Sequence, residues 1–207
     1  MFNIAAKAIH HTKDHGDFDV YVVKDDTQCE HVVLIRGEVR GGDNVLCRVS
    51  SECLPGTTLE SAECDCQEQI RFSLNMINKE DRGIFIYLLG QEGRGHGLTT
   101  KVKALKLKND GHDTFSAVEE LGLQADIRNY STARNILSLF QVRSIILLSN
   151  NPEKVAGIRN EGVVVSDTRS ISVSATGHSA RHLVAKRDRG HTIDVVKAMS
   201  DSFNKEE

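Results

Sequence analysis

The chain has 207 residues, with 26 Lys+Arg against 29 Asp+Glu and a formal net charge of −3. That length supports one large domain or two small ones with a core that needs no disulfide staples, and 39% hydrophobic with 27% charged residues excludes an intrinsically disordered chain. A charge so near zero gives no general nucleic-acid or membrane-surface field, and no apolar run or leader pattern of the required length is present, so a cytoplasmic protein without a nucleic-acid polymer or a membrane among its partners is expected.

The first fifty residues read as β-rich. DFDVYVV (17–23) alternates and places Phe18, Val20 and Val22 on one face. HVVLIRGEV (31–39) and NVLCRVS (44–50) read as buried or half-buried strands, punctuated by Gly37, Gly41 and Gly42. After Cys66 the period changes. Ile70, Leu74 and Ile77 recur at i, i+4 and i+7, one apolar helix face. GIFIYLL (83–89) reads as a buried strand and QEGRGHG (91–97) as the loop after it. Leu98, Val102 and Leu105 are expected to stripe the core face of a helix that is rich in Lys elsewhere. Ser116 to Glu119 has capping-box spacing and predicts a short helix.

Further on, Ala133, Ile136, Leu137 and Phe140 stripe another helix, and SIILL (144–148) is a buried strand. Asn151-Pro152 is a cap and first turn for the next helix, and VVVS (163–166) closes a βαβ-like unit. The polar, basic segment 167–190 is expected to be a mobile loop, followed by a helix over about 191–202 and a tail to 207. Strands first, then alternating helices and strands, predict a mixed α/β or α+β fold. One compact domain spanning 1–207 is expected, with its ordered core at about 17–166.

The chemistry concentrates in the cysteines. Five are present, an odd number without a leader, which argues against a disulfide framework. Cys53-x10-Cys64-x-Cys66 offers soft thiolates that can meet one Zn²⁺ if the intervening segment folds back. With no fourth Cys or His at usual finger spacing, an open, hydrolytic site is favoured over a closed structural one. The competing reading is ordinary buried thiols, since Cys is often fully buried. Cys29 and Cys47 read as ordinary core or strand residues. The loop with Glu92, Gly93 and Arg94 can present backbone N–H groups and a guanidinium to phosphate, or be a plain strand–helix turn. Asp126 and Arg128 suit a general base and a phosphate ligand, or a surface ion pair. Lys154 falls in the first turn of a helix, where anions are attracted. The histidines near the N-terminus and in the basic tail are poor candidates for catalysis.

Taken together and in order, Arg48-Val-Ser-Ser-Glu52-Cys53, Cys64-Asp-Cys66, Gln91-Glu92-Gly93-Arg94, Asp126-Ile-Arg128 and Asn150-Asn-Pro-Glu-Lys154 resemble GTP cyclohydrolase II. The resemblance runs from about residue 17 to about 191. It implies zinc on Cys53, Cys64 and Cys66, whose hydroxide attacks C8 of the guanine ring of GTP, with loss of formate and pyrophosphate. It implies that Arg128 attacks the α-phosphate, that Asp126 accepts a proton, and that Mg²⁺ accompanies the triphosphate. Arg48, Val49, Ser50, Ser51, Glu52, Gln69, Glu92, Gly93, Arg94, Thr114, Ser149 and Lys154 fall where the family binds GTP, and the implied assembly is a homodimer in riboflavin biosynthesis. Glu92 would face the donors on the guanine edge.

Some positions depart from the family. It has His at Ser50, Thr at Ser149 and, most consequentially, Tyr at Leu105. Leucine has no proton to give or take, so ring opening that stops at a formamidopyrimidine nucleotide, in a specialised-metabolite pathway, is one alternative. A different purine nucleotide, or GTP with its triphosphate retained, is another. An inactive GTP-binding zinc protein is a third, against which stand the intact cysteines, Asp126 and Arg128.

Overall fold

The computed structural model describes residues 1–110, 112, 116–171 and 190. Thr114, most of the expected 167–190 loop and the expected 191–202 helix therefore lie outside the described residues. The strands are β1 (Asn3–His11), β2 (Asp17–Lys24), β3 (Glu30–Arg36), β4 (Val45–Ser51), β5 (Gly83–Leu88), β6 (Ile145–Leu148) and β7 (Val165–Arg169). The α-helices are α1 (Leu54–Thr57), α2 (Cys66–Lys79), α3 (Gly97–Asn109), α4 (Ser116–Glu119), α5 (Ser131–Leu139) and α6 (Pro152–Asn160), with a 3-10 turn at Glu92–Gly95. This is the mixed α/β class expected. Among the described residues no helix is long and apolar enough to cross a membrane.

The chain packs as two compact units. The first comprises Met1–Glu52, Ile70–Leu89 and Asn129–Ile171 and holds the whole sheet. Its strand order is β1-β2-β3-β5-β4-β6-β7. The β1–β2, β2–β3 and β3–β5 pairs are antiparallel, whereas β4–β5, β4–β6 and β6–β7 are parallel. The central strands β4, β5 and β6 are buried along most of their length, as near-continuous apolar runs should be in parallel pairing. Ile84, Ile86, Leu88, Ile145 and Leu147 form the core with Ala133, Ile136 and Leu137 of α5 and Ile158 of α6. The expected α5 face is thus the buried one, and Leu74 and Ile77 of α2 are buried as expected.

Three sequence expectations need correction in this unit. The order begins at β1, not at residue 17, because Asn3–His11 pairs with β2 although every residue of it is exposed. Phe18 and Val23, on opposite faces, are both buried, while Val20 and Val22 are only half-buried, so β2 is covered in part on both faces and its alternation is misleading. The last strand reaches Arg169, into the segment expected as loop, because Asp167, Thr168 and Arg169 continue the parallel ladder with β6.

The described part of the second unit comprises Cys53–Gln69 and residues of Gly90–Arg128. Its described apolar core is small: Ala104, Ala117 and Val118, with Leu107, Leu121 and Leu123 packed on them. The α3 face was misassigned. Leu98 and Val102 are exposed, and Ala104 is the buried residue. Leu105 is half-buried on a different ground, described below.

Candidate active site

In the second unit the cysteine spacing is resolved by two helix starts. Cys53 precedes α1, whose Pro55 is placed in the first turn, where its missing N–H costs nothing. Thr57 returns to Cys53, donating from both its N–H (2.9 Å) and its hydroxyl (2.7 Å) to the Cys53 carbonyl. Cys66 is the first residue of α2. The sulfurs of Cys53, Cys64 and Cys66 lie within 4.8 Å of one another.

Gly56 makes this possible. A Cβ there would run into Cys64 Sγ, lie 2.9 Å from Cys53 Sγ and crowd Cys66 Cβ. The donors fit a tetrahedral ion with soft preferences. Cys53 Sγ and Cys64 Sγ are 3.8 Å apart, and two Zn–S bonds of about 2.3 Å at the tetrahedral angle subtend about 3.8 Å. Hydrogen bonds from Cys64 and Cys66, with help from Lys101, hold the Cys53 thiol far below its usual range. The bonds to Cys53 push Cys64 and Cys66 up.

Lys101 is the residue that sequence reading missed. Its Nζ donates to Cys53 Sγ (2.9 Å) and to Glu92 Oε1 (2.7 Å). Burial pulls this lysine down, but its bonds to Cys53 and Glu92 outweigh that and hold it above its ordinary value. Glu92 is only 4% exposed. Its other oxygen, Oε2, accepts from the N–H of Leu54 at 2.6 Å, and Oε1 also accepts from the N–H of Gly93 at 3.0 Å. The carboxylate thus clips the start of α1 to the Gly-rich turn. The signal in the sequence was Lys101 lying four residues before Leu105, which puts both on one helix face.

That face points at the cysteine segment. One turn beyond Leu105, Lys108 Nζ binds Glu63 Oε2 at 2.6 Å, next to Cys64. Leu105, half-buried, therefore lies between a lysine on Cys53 and a lysine on Glu63. Gln69 donates to Asp65 Oδ2 (2.7 Å), and Asp65, set between the two close cysteines, is buried.

The Gly-rich turn also gathers the second polar group. Gly93 and Arg94 both have left-handed backbones, with φ of 58° and 60°, affordable for glycine and strained for arginine. That conformation turns the Arg94 carbonyl to the N–H of Ile127 (3.1 Å) and its guanidinium to the Ala125 carbonyl (3.3 Å). Asp126 faces Arg128 through a bidentate pair, with Arg128 Nε at 2.9 and 3.1 Å from the two carboxylate oxygens and Nη2 closing on Oδ2. Burial raises the Asp126 carboxyl, but Arg128, with Arg94 nearby, more than offsets this and holds it below the ordinary range.

In the first unit the remaining described candidates gather at the carboxyl ends of parallel strands, the usual ligand edge of such sheets. Arg48 to Ser51 end β4, followed by Glu52. Arg48 is buried and donates to the Leu148 carbonyl (2.9 Å) at the end of β6. Ser149 follows, buried, with the N–H of Asn151 on its hydroxyl (3.1 Å). Asn151 Oδ1 caps α6 by accepting from Glu153 and Lys154. Lys154 is 6% exposed. Its Nζ donates to the Val49 carbonyl (2.9 Å) and sits 5.9 Å over the Tyr130 ring.

Cys47 is fully buried in the core, where burial raises its thiol to about 12. Cys29 is not a core or strand residue. It lies partly exposed in the β2–β3 turn beside Asp25 and His31.

A family model described as GTP cyclohydrolase II matches residues 4–170. The riboflavin biosynthesis protein RibBA of Nocardia farcinica is 42% identical over 165 residues, covering 79% of this chain and 40% of that protein. RibBA of Bacillus subtilis is 42% identical over 183 residues, 87% of this chain and 46% of that protein. The probable bifunctional riboflavin biosynthesis protein RIBA 2, chloroplastic, of Oryza sativa subsp. japonica is 42% identical over 172 residues, 83% of this chain and 31% of that protein. The chain spans less than half the length of each of these relatives. With the family model over residues 4–170 and relatives 42% identical over most of this chain, the chain belongs to the GTP cyclohydrolase II family, a family of hydrolases.

Proposed function

We propose that the chain opens the guanine imidazole ring of GTP at C8, releasing formate and pyrophosphate and leaving a diaminopyrimidinone ribotide. The observation that carries this reading is the convergence of Cys53, Cys64 and Cys66 beside Lys101 and Glu92. Zinc on these sulfurs, when bound, supplies a water of lowered pKa as the hydrolytic nucleophile.

The chain's own residues do the rest. Lys101 neutralises part of the thiolate charge and fixes Cys53 through Glu92. Asp126 orients Arg128 by the bidentate contact. As an Arg128 nitrogen bonds to the α-phosphorus, the bond to pyrophosphate breaks and Asp126 takes the guanidinium proton; water then cleaves the P–N bond and restores both groups. Asp126, held acidic at rest by Arg128, becomes an adequate acceptor only as that positive charge is relieved. Arg48 to Glu52, Gln69, Gly93, Arg94, Thr114, Ser149 and Lys154 belong to the proposal as GTP-binding residues, with Mg²⁺ on the triphosphate and a homodimer as the assembly. Glu92 and Gln69 enter with a qualification from geometry: their side chains are already engaged, on Leu54, Gly93 and Lys101 and on Asp65.

A second reading is favoured by Leu105. It lies on α3 between Lys101, which reaches Cys53, and Lys108, which reaches Glu63, and leucine brings no hydroxyl there. Under that reading the ring opens and the formyl carbon stays on the product. Mass spectrometry of products from zinc-loaded protein with GTP and Mg²⁺, with formate and pyrophosphate assays, separates the two. Stoichiometric formate establishes the full reaction. A formamidopyrimidine product that Leu105→Tyr converts to formate release establishes the truncated one, and unchanged GTP overturns both.

A further inference from the structure

We propose that the β2–β3 turn carries a second metal site, for a borderline divalent ion such as zinc, built from Asp25, Cys29 and His31. Their ligand atoms lie within 4.8 Å of one another. Carboxylate, thiolate and imidazole are each donors that zinc accepts. No residue of the thiol cluster takes part, so this site is separate in sequence and in its donor set.

The turn presents the ligands already arranged. Asp25 Oδ1 accepts from the Thr27 N–H (2.8 Å), the Thr27 hydroxyl (2.7 Å) and the Cys29 N–H (2.9 Å). The Asp25 N–H donates to the Cys29 carbonyl at 3.0 Å. These bonds fix the carboxylate and leave Oδ2 directed at His31. His31 is fixed in turn by strand register, opposite Val23.

The His31 ring is poorly satisfied for a buried group. It is 3% exposed, its Nδ1 has no hydrogen-bond partner, and Nε2 reaches Asp25 Oδ2 only at 3.3 Å. A charge-assisted N–H···O bond would close to about 2.7–2.9 Å. The observed spacing instead matches the edge of a tetrahedral ion, since two bonds of about 2.0–2.1 Å subtend about 3.3 Å. A cation held between Nε2 and Oδ2 accounts for that spacing.

Charge points the same way. Glu30 and Glu52 add negative charge near the Cys29 sulfur, beyond that of Asp25. Cys29 and Asp25 are partly exposed, so water can reach the fourth position. The ion would clamp the end of the β2–β3 ladder, where Lys24 pairs with Glu30.

The test is metal stoichiometry of the zinc-loaded, gel-filtered chain, wild type against Cys29→Ala, Asp25→Asn and Cys64→Ser, with folding checked by thermal melting. Asp25→Asn keeps the turn's Oδ1 acceptor and removes the charge. We expect two equivalents in wild type and one in each variant. In a Co²⁺ titration, Cys29→Ala should lose part of the sulfur-to-metal charge-transfer absorption and keep that of the cysteine cluster. One equivalent in wild type that Cys29→Ala leaves in place overturns the proposal, as do two equivalents retained by both hairpin variants. One equivalent lost in Cys29→Ala but kept in Cys64→Ser supports the hairpin site and removes the thiolate-cluster reading instead.

Discussion

The sheet-bearing unit and the cysteine-bearing unit are held together by different physics. The first buries Ile84, Ile86, Leu88, Ile145, Leu147 and Ile158 almost completely, and its buried cations, Arg48 and Lys154, end on backbone carbonyls. The second has a described apolar core of small residues and is tied by charge: Lys101 on Cys53 and Glu92, Lys108 on Glu63, Arg128 on Asp126. Burial of apolar area contributes roughly 25 cal/mol per Å² and needs no ligand. A polar cluster of cysteines could be completed by an ion, and under the proposed function ion binding would then be folding energy for that part of the chain. The contrast teaches that a rigid scaffold and a ligand-dependent site can be told apart by what satisfies their buried groups.

The largest expected effect is metal removal. An ion held by residues that come together only on folding adds its binding free energy to the stability of that part of the chain. Chelation should strip hydrogen-exchange protection from α1 and α3 while the amides of β4, β5 and β6 keep theirs. Equal loss in both units would erase the contrast. Next, Leu147→Ala should cost about 2–5 kcal/mol by opening a cavity in a fully buried position. Urea unfolding of the zinc-loaded protein measures it, and the metal affinity should not change. A coupled fall in affinity would show that the sheet core and the thiol cluster stand or fall together.

A smaller effect sharpens the role of Lys101. Partners of metal ligands typically change affinity by about 10–100-fold. Lys101→Met should weaken zinc binding by that factor in a chelator competition, and Lys101→Arg should recover part of it. Unchanged affinity in Lys101→Met would reduce the lysine to a packing element.

How much was legible follows the same division. Parallel strands announce themselves as apolar runs, so GIFIYLL and SIILL were found, as was the α5 face with Ala133, Ile136 and Leu137. The cysteine cluster was legible because its spacing is unusual. The α3 face was not, since exposed Leu98 and Val102 imitate a core stripe, while the face that matters carries Lys101 and Lys108 in polar contacts. Hydrophobic periodicity cannot report a face whose purpose is to bring ammonium groups to a thiolate and a carboxylate. The exposed β1 was missed for a related reason, because pairing with β2 by backbone bonds leaves no apolar signature.

The smallest effect tests the charge pairing at Asp126. Arg128 holds this carboxyl below its ordinary value, so its folded pKa lies under the unfolded one of about 3.9. A depressed carboxylate contributes stability that is fully present above the unfolded pKa and is lost as pH falls through the folded one. Asp126→Asn removes the charge at nearly constant shape. Wild type should therefore exceed the variant by a constant margin from neutral pH down to about 4, and the margin should shrink below that. Urea midpoints across an acid series read this directly. Curves that stay parallel throughout would mean that the Asp126–Arg128 pair contributes no charge-dependent stability.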